Sequence, residues 1–399
     1  MNKKYGEELS SLTVFRGILS DPVMIKLKKL LYFSGDETEF ISVYSDFVSE
    51  LFKTTDNLTE YLLSLVLEDE NPYMLKMAEE GASSEILRRC AEKELLILQE
   101  LSRLTSADVC EGIGYDGYLS EWAVSERDFT EIYNERIANV AVKGYGIYAK
   151  YHTFMLRDDK IVPVKNPDTQ RLSQLSGYEF ERKKVIDNTI ALLNGKPAAN
   201  VLLYGDAGTG KSSTVKAIVN EFRDRGLRLI EIKKSQLHSM PIILENISKN
   251  PLKFILFIDD LSFAADDDDF GALKAILEGS ISHKTPNLAI YATSNRRHLV
   301  KEKFSDRDGD DIHKNDSMAE LISLSDRFGL TVTFLKPDKK QYFEIVKNLA
   351  EEYEIGLAEE ELQLKAEEFA IRRSGRSARA AKQFIEQLKA QQSGSYISK

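Results

Sequence analysis

The chain has little cysteine, histidine or tryptophan: two, five and one among 399 residues. Two thiols, Cys90 and Cys110, cannot staple a chain of this length, so a reducing cytoplasm is its expected location. The histidines show no metal-ligand spacing, and without a cysteine cluster a zinc site is not expected. His298, after Arg296-Arg297, is read as structural. No run of about 18 apolar residues occurs, so no membrane-spanning helix is expected. The stretch from Met1 to Leu12 lacks the apolar core of a secretion signal. Internal repeats and long low-complexity tracts are also missing.

Hydrophobic residues make up 42 % and charged residues 30 %, the balance of a soluble globular protein. The length suits two or three domains. A formal charge of −10 makes the chain a poor non-specific binder of nucleic acid or anionic membrane, local basic patches aside.

Residues 1–165 read as a mainly helical N-terminal domain with no catalytic constellation. Apolar stripes at helical spacing (Leu58, Tyr61, Leu62, Leu65, Val66; then Ile86, Leu87, Cys90, Leu95, Leu98, Leu101) are expected in its core, as is Trp122. The Gly/Tyr-rich segment 111–118 reads as an inter-helix turn. Residues 166–335 alternate strand and helix, which predicts an α/β domain with a parallel five-stranded sheet. The expected strands are Val201–Tyr204, Leu229–Ile232, Phe254–Ile258, Leu288–Ala292 and Leu330–Phe334. Residues 336–399 read as a helical lid. Asp338 and Gln341 suit a capping box, a second helix covers Glu359 to Arg372, and a third starts near Ser377. Two charged stretches, Asp266–Asp269 and Lys301–Asp316, read as surface inserts.

The strongest signal is Gly205-Asp206-Ala207-Gly208-Thr209-Gly210-Lys211-Ser212, followed by Ser213. It fits G-x-x-x-x-G-K-[ST], between an apolar strand and a helix with Val215, Ile218, Val219 and Phe222 on one face. The glycines let main-chain N–H groups turn toward phosphate oxygens, and the helix start adds partial positive charge. Lys211 is placed to reach the β- and γ-phosphates, and the Ser212 hydroxyl to ligate Mg²⁺.

Phe254–Ile258 is a buried-type strand ending in Asp259 and Asp260. The first acid is positioned for Mg²⁺ and the second for the attacking water. Tyr291-Ala292-Thr293-Ser294-Asn295 is another strand end, where Asn295 or Thr293 can meet the γ-phosphate or the water. Arg327, in Ser325-Asp326-Arg327-Phe328-Gly329, can project toward a neighbouring subunit and stabilise the transferring phosphoryl group. Arg372, Arg373, Arg376, Arg379 and Lys382 form a basic series near the start of the last helix. A lid arginine, a small nucleic-acid patch and a solvated face are all open there.

Together these residues resemble the AAA+ superfamily of ATPases. The loop with Lys211 and Ser212 looks like Walker A, Asp259 and Asp260 like Walker B, and Asn295 like sensor 1. Arg327 resembles the arginine finger and Arg379 the sensor 2 arginine, although Arg376 competes for that place. Gly177-Tyr178 resembles the segment that cups adenine. The phrases Asp-Asp-Leu-Ser-Phe and Ser-Leu-Ser-Asp-Arg-Phe-Gly-Leu are similar to the bacterial ATP-binding proteins catalogued as a domain of unknown function (815), over roughly residues 172–390. The resemblance implies an ATP hydrolase with ATP and Mg²⁺ at subunit boundaries of a homo-oligomer, acting on a protein or nucleic-acid client. Alternatives are a nucleotide-gated module that hydrolyses little, given Asp260 in place of the usual Glu, a helicase-loader-like ATPase, and a small-molecule kinase.

Overall fold

The computed structural model describes all residues except 1, 112, 262–267, 278–285, 296–325, 374 and 395–399. His298, Asp266 and Asp267, Ser325 and the stretch Lys301–Asp316 lie outside the described residues. Contacts divide the chain into two compact units. Residues Met1–Lys150 with Asn250–Leu252 form one, and Tyr151–Lys249 with Lys253–Lys399 the other. Among the described residues no helix is long and apolar enough to cross a membrane.

The first unit is helical. Trp122 packs edge-on to Phe47 at 5.1 Å and donates its indole N–H to the carbonyl of Leu104 at 2.8 Å. Leu58, Tyr61, Leu62, Val66, Leu95, Leu98 and Leu101 are all buried. Ile86 and Cys90 are not: Ile86 is 77 % exposed, and Cys90 is also exposed. The buried face of helix Glu85–Ser102 runs through Ala91, Leu95, Leu98 and Leu101. Nine residues separate Ile86 from Leu95, which at about 100° per residue puts them on opposite sides of the cylinder. Glu94 is buried on the inward face as well. Its carboxylate accepts the main-chain N–H groups of Thr13, Val14 and Phe15, which satisfies the buried charge.

The second unit is built on a sheet of seven strands, not the five expected. These are β1 (Thr153–Arg157), β2 (Lys160–Pro163), β3 (Val201–Gly205), β4 (Leu227–Ile232), β5 (Lys253–Ile258), β6 (Leu288–Ser294) and β7 (Leu330–Phe334). Their order is β2-β1-β4-β5-β6-β3-β7. The five expected strands are present and mutually parallel. The two additional strands come from residues that the sequence pattern places in the helical N-terminal part. β1 pairs in parallel with β4, and β2 folds back on β1 as an antiparallel hairpin. Asp158 and Asp159 form its tip with φ of 50° and 57°, the conformation of a two-residue I′ turn. β1 is too short to carry a periodicity of its own, and what places it is the edge of β4, whose main-chain groups need partners.

Helices cover the sheet because its strands are apolar on both faces. Helix Lys211–Phe222 buries Val215, Ile218 and Val219 in the same core as Val201, Ile255 and Phe257. Three C-terminal helices, Lys339–Glu352, Glu359–Arg372 and Ala378–Gly394, expected as a lid, join this core through Ile345, Val346, Ala366 and Ile385. Asp338 caps the first by accepting the N–H of Gln341 at 2.8 Å, and Ser377 caps the last through Ala380 at 3.1 Å.

Candidate functional site

In a parallel sheet the carboxyl ends of the strands face one way, and ligands collect there. β5, β6 and β3 are adjacent, so the turns after them meet. The result is a cleft of about 500 Å³ bordered by the C-terminal helices, lined by the loop Ala207–Thr214, Asp259, Asp260, Thr293, Asn295 and Arg379.

Helix Lys211–Phe222 opens at the cleft. Its N-cap is Gly210, in the left-handed region at φ 90°, and no side chain caps its first turn. The initial N–H groups of a helix need partners, so an uncapped start in a cleft suits an anion. Lys211 is 5 % exposed. Its ammonium donates to the carbonyls of Gly205 (3.1 Å) and Asp206 (2.7 Å) and to Asn295 Oδ1 (3.0 Å). Burial lowers the pKa of this ammonium, and the nearby carboxylates of Asp206, Asp260 and Asp259 oppose that shift.

The acids are wired to the loop. Ser212 Oγ donates to Asp259 Oδ1 at 2.6 Å, and Thr293 Oγ1 donates to the same oxygen at 2.6 Å. Asp260 has a φ of 53°, and its carboxylate accepts the Asn295 amide at 2.6 Å. Asn295 therefore spans the site: its carbonyl oxygen takes Lys211 and its amide nitrogen takes Asp260. Asp206 turns outward from the phosphate loop and accepts the N–H of Lys336 at 2.8 Å, which ties the loop to the start of the lid.

The sequence profile of the family described as "Protein of unknown function (DUF815)" matches residues 149–392, more than half of the chain. The chain belongs to the DUF815 family. The matched span starts beside β1 and ends in the last lid helix, so it takes in the whole sheet and cleft. Curated relatives are replication factor C large subunits, similar over 117 residues. That of Thermofilum pendens is 28 % identical over 27 % of this chain and 28 % of its own, and that of Staphylothermus marinus 30 % over 27 % and 27 %. The chain thus spans little more than a quarter of the length of those relatives. Among solved structures, the Thermotoga maritima RuvB Holliday junction branch migration motor is 17 % identical, with a TM-score of 0.37, covering 54 % of this chain and 63 % of that one.

The remaining sequence candidates of the DUF815 chain fall in different places. Arg379 lines the cleft, and its main-chain N–H donates to the carbonyl of Gly208 at 3.0 Å. Arg376 instead forms a two-pronged ion pair with Glu367, at 3.1 and 2.5 Å. Tyr178 packs inward: its ring lies 5.3 Å from that of Phe334 and its hydroxyl donates to the carbonyl of Leu335. Leu175, Ser176 and Arg182 line that side of the cleft. The buried Arg182 guanidinium donates to the carbonyls of Leu175 and Gly177 and pins the turn before its helix. The sequence pattern does not single out Arg182, because apart from Glu179 at 3.0 Å its partners are main-chain carbonyls that no residue type reveals. Arg327 precedes β7, at the opposite end of that strand from the cleft.

Proposed function

We propose that this protein is a magnesium-dependent ATPase that converts ATP and water to ADP and phosphate, and uses the cycle to change the conformation or assembly of a partner. The observation that carries the reading is the 2.6 Å bond between the Ser212 hydroxyl and Asp259, beside the buried Lys211 ammonium. A hydroxyl and a carboxylate are hard oxygen donors, and Mg²⁺ suits a site with few protein ligands completed by water and phosphate. When bound, the metal neutralises charge on the phosphates. Ser212 and Asp259 would hold it.

The main-chain N–H groups of the loop take the phosphate oxygens, and Lys211 exchanges its carbonyl partners for them. Asp260 orients a water and accepts its proton as the water oxygen bonds to the γ-phosphorus and the bond to the ADP oxygen breaks. Asn295 holds the Asp260 carboxylate while this happens. Arg379 adds a cation from the lid.

The placement of Arg327 supports action between subunits. β7 alone spans about 13 Å, and Arg327 lies beyond its far end. A neighbouring copy in a homo-oligomer would supply this side chain to the site. A protein or nucleic-acid client completes the reading. Stimulation by single-stranded DNA would favour a loader-like role, and its absence a protein client. A second reading, a nucleotide-gated module with little turnover, draws on the shorter carboxylate of Asp260 and its bond to Asn295.

Phosphate release from ATP and Mg²⁺, with Lys211→Ala as the comparison, tests the proposal. Turnover that vanishes in Lys211→Ala is expected. Binding without turnover favours the second reading, and wild-type protein that neither binds nor cleaves ATP would sink both.

A further inference from the structure

Thr293 joins the two acids to each other. It is the sixth residue of β6 and is 2 % exposed. β5 and β6 pair through Ile258 and Ala292, so Thr293 comes level with the residue that follows β5. Three hydrogen bonds run from this single residue to the segment 259–261. Its hydroxyl donates to Asp259 Oδ1 at 2.6 Å and accepts the N–H of Asp260 at 2.9 Å, and its carbonyl accepts the N–H of Leu261 at 2.7 Å. The hydroxyl thus uses its one proton on the first acid and a lone pair on the backbone of the second.

The backbone at Asp260 needs such a hold. A φ of 53° is left-handed, a conformation that a residue other than glycine keeps only where its surroundings impose it. That conformation keeps two consecutive carboxylates in one cleft: Asp259 meets Ser212, and Asp260 meets Asn295. In an extended strand consecutive side chains would point to opposite faces of the sheet. Thr293 also suits its place by shape. A β-branched side chain fits a strand and restricts χ1, which keeps the hydroxyl in one direction.

We propose that Thr293 is a positioning residue that sets the relative placement of Asp259 and Asp260, and so couples the metal-holding acid to the acid that orients water. The proposal rests on the ATPase reading above. It predicts that loss of the hydroxyl harms the metal requirement and the chemical step together, while the grip on the nucleotide survives. A role confined to stability would lower the melting temperature and leave both parameters in place.

The test compares Thr293→Val, which keeps the branched shape, with Thr293→Ser, which keeps the hydroxyl. ATP affinity is measured in EDTA and in Mg²⁺, with kcat, the Mg²⁺ concentration for half-maximal rate, and melting temperature. Thr293→Val should bind ATP in EDTA as the wild type does, lose kcat by roughly 10- to 100-fold, and need several-fold more Mg²⁺. Thr293→Ser should recover most of both. Thr293→Val with an unchanged kcat and Mg²⁺ requirement would overturn the proposal, as would Thr293→Ser equal in defect to Thr293→Val. If Thr293→Val does not fold, Thr293→Ala replaces it in the same comparison. If the wild type binds ATP without cleaving it, the ATPase reading alone fails, and Thr293 is judged by the gain in ATP affinity that Mg²⁺ gives. Thr293→Val should lose that gain, and keeping it overturns the proposal.

Discussion

The main-chain N–H of Arg379 donates to the carbonyl of Gly208 at 3.0 Å, so the last lid helix begins directly on the phosphate loop. Gly208 has a φ of 77°, and a Cβ there would lie 3.1 Å from Arg379 Cβ and 3.2 Å from Ser377 Oγ. Gly208→Val should push the lid away from the loop and weaken ATP binding by about tenfold, with a smaller effect on the melting temperature. Calorimetric titration with ATP checks it, and unaltered affinity would show that the lid contact is incidental.

Asp260→Asn removes the carboxylate proposed to take the proton but preserves the size of the side chain and its reach to Asn295. ATP affinity should stay within about threefold, and turnover should fall by about a hundredfold or more. A rate near that of wild type would assign the water to another group.

Arg327→Ala and Lys211→Ala should each be inactive alone. Mixed, they should regain activity, because a Lys211→Ala subunit can lend Arg327 to a neighbour whose loop is intact. The increase should depend on the mixing ratio. A mixture as inactive as its parts would argue that each chain works by itself.

A separate prediction concerns the first unit. Burial pushes the carboxyl of Asp69 up to about 6. Its Oδ2 is shielded from solvent and has no hydrogen-bond partner among the described residues. A raised acid favours folding when protonated, so its contribution is complete below the unfolded pKa near 4 and is lost as pH rises through 6. Asp69→Asn should raise stability above pH 6 by about 1 kcal/mol, allowing for partial exposure, and flatten the pH dependence between 4 and 7. The urea midpoint of the full chain, followed across that range, measures it. A variant less stable than wild type at pH 8 would contradict the assignment.

The lining of the cleft was largely readable because its segments are local in sequence. The phosphate loop is one contiguous phrase, and its strand and helix announce themselves by apolar runs. Asp259 and Asp260 were legible because they end a buried-type strand in a chain that also carries the glycine-rich loop. Less local features were not. β1 and β2 follow from the unpaired edge of β4. Ile86 has the right residue type for a core and the wrong angle on its helix. Tyr178 was expected at the nucleotide, but its ring fills a gap against Phe334 and leaves that side of the cleft to Leu175, Ser176 and Arg182.

The order of residues by itself specified a glycine-rich loop between strand and helix, an acid pair at a strand end and a helical C-terminal part, since these depend on spacings of a few residues within single elements. Which lid arginine enters the cleft, how Thr293 joins two consecutive acids, and that Asn295 links Lys211 to Asp260 were decided by folding. Those contacts join groups tens of residues apart or more, and only the pairing of β5, β6 and β3, with the last helix packed on the loop after β3, brings them together.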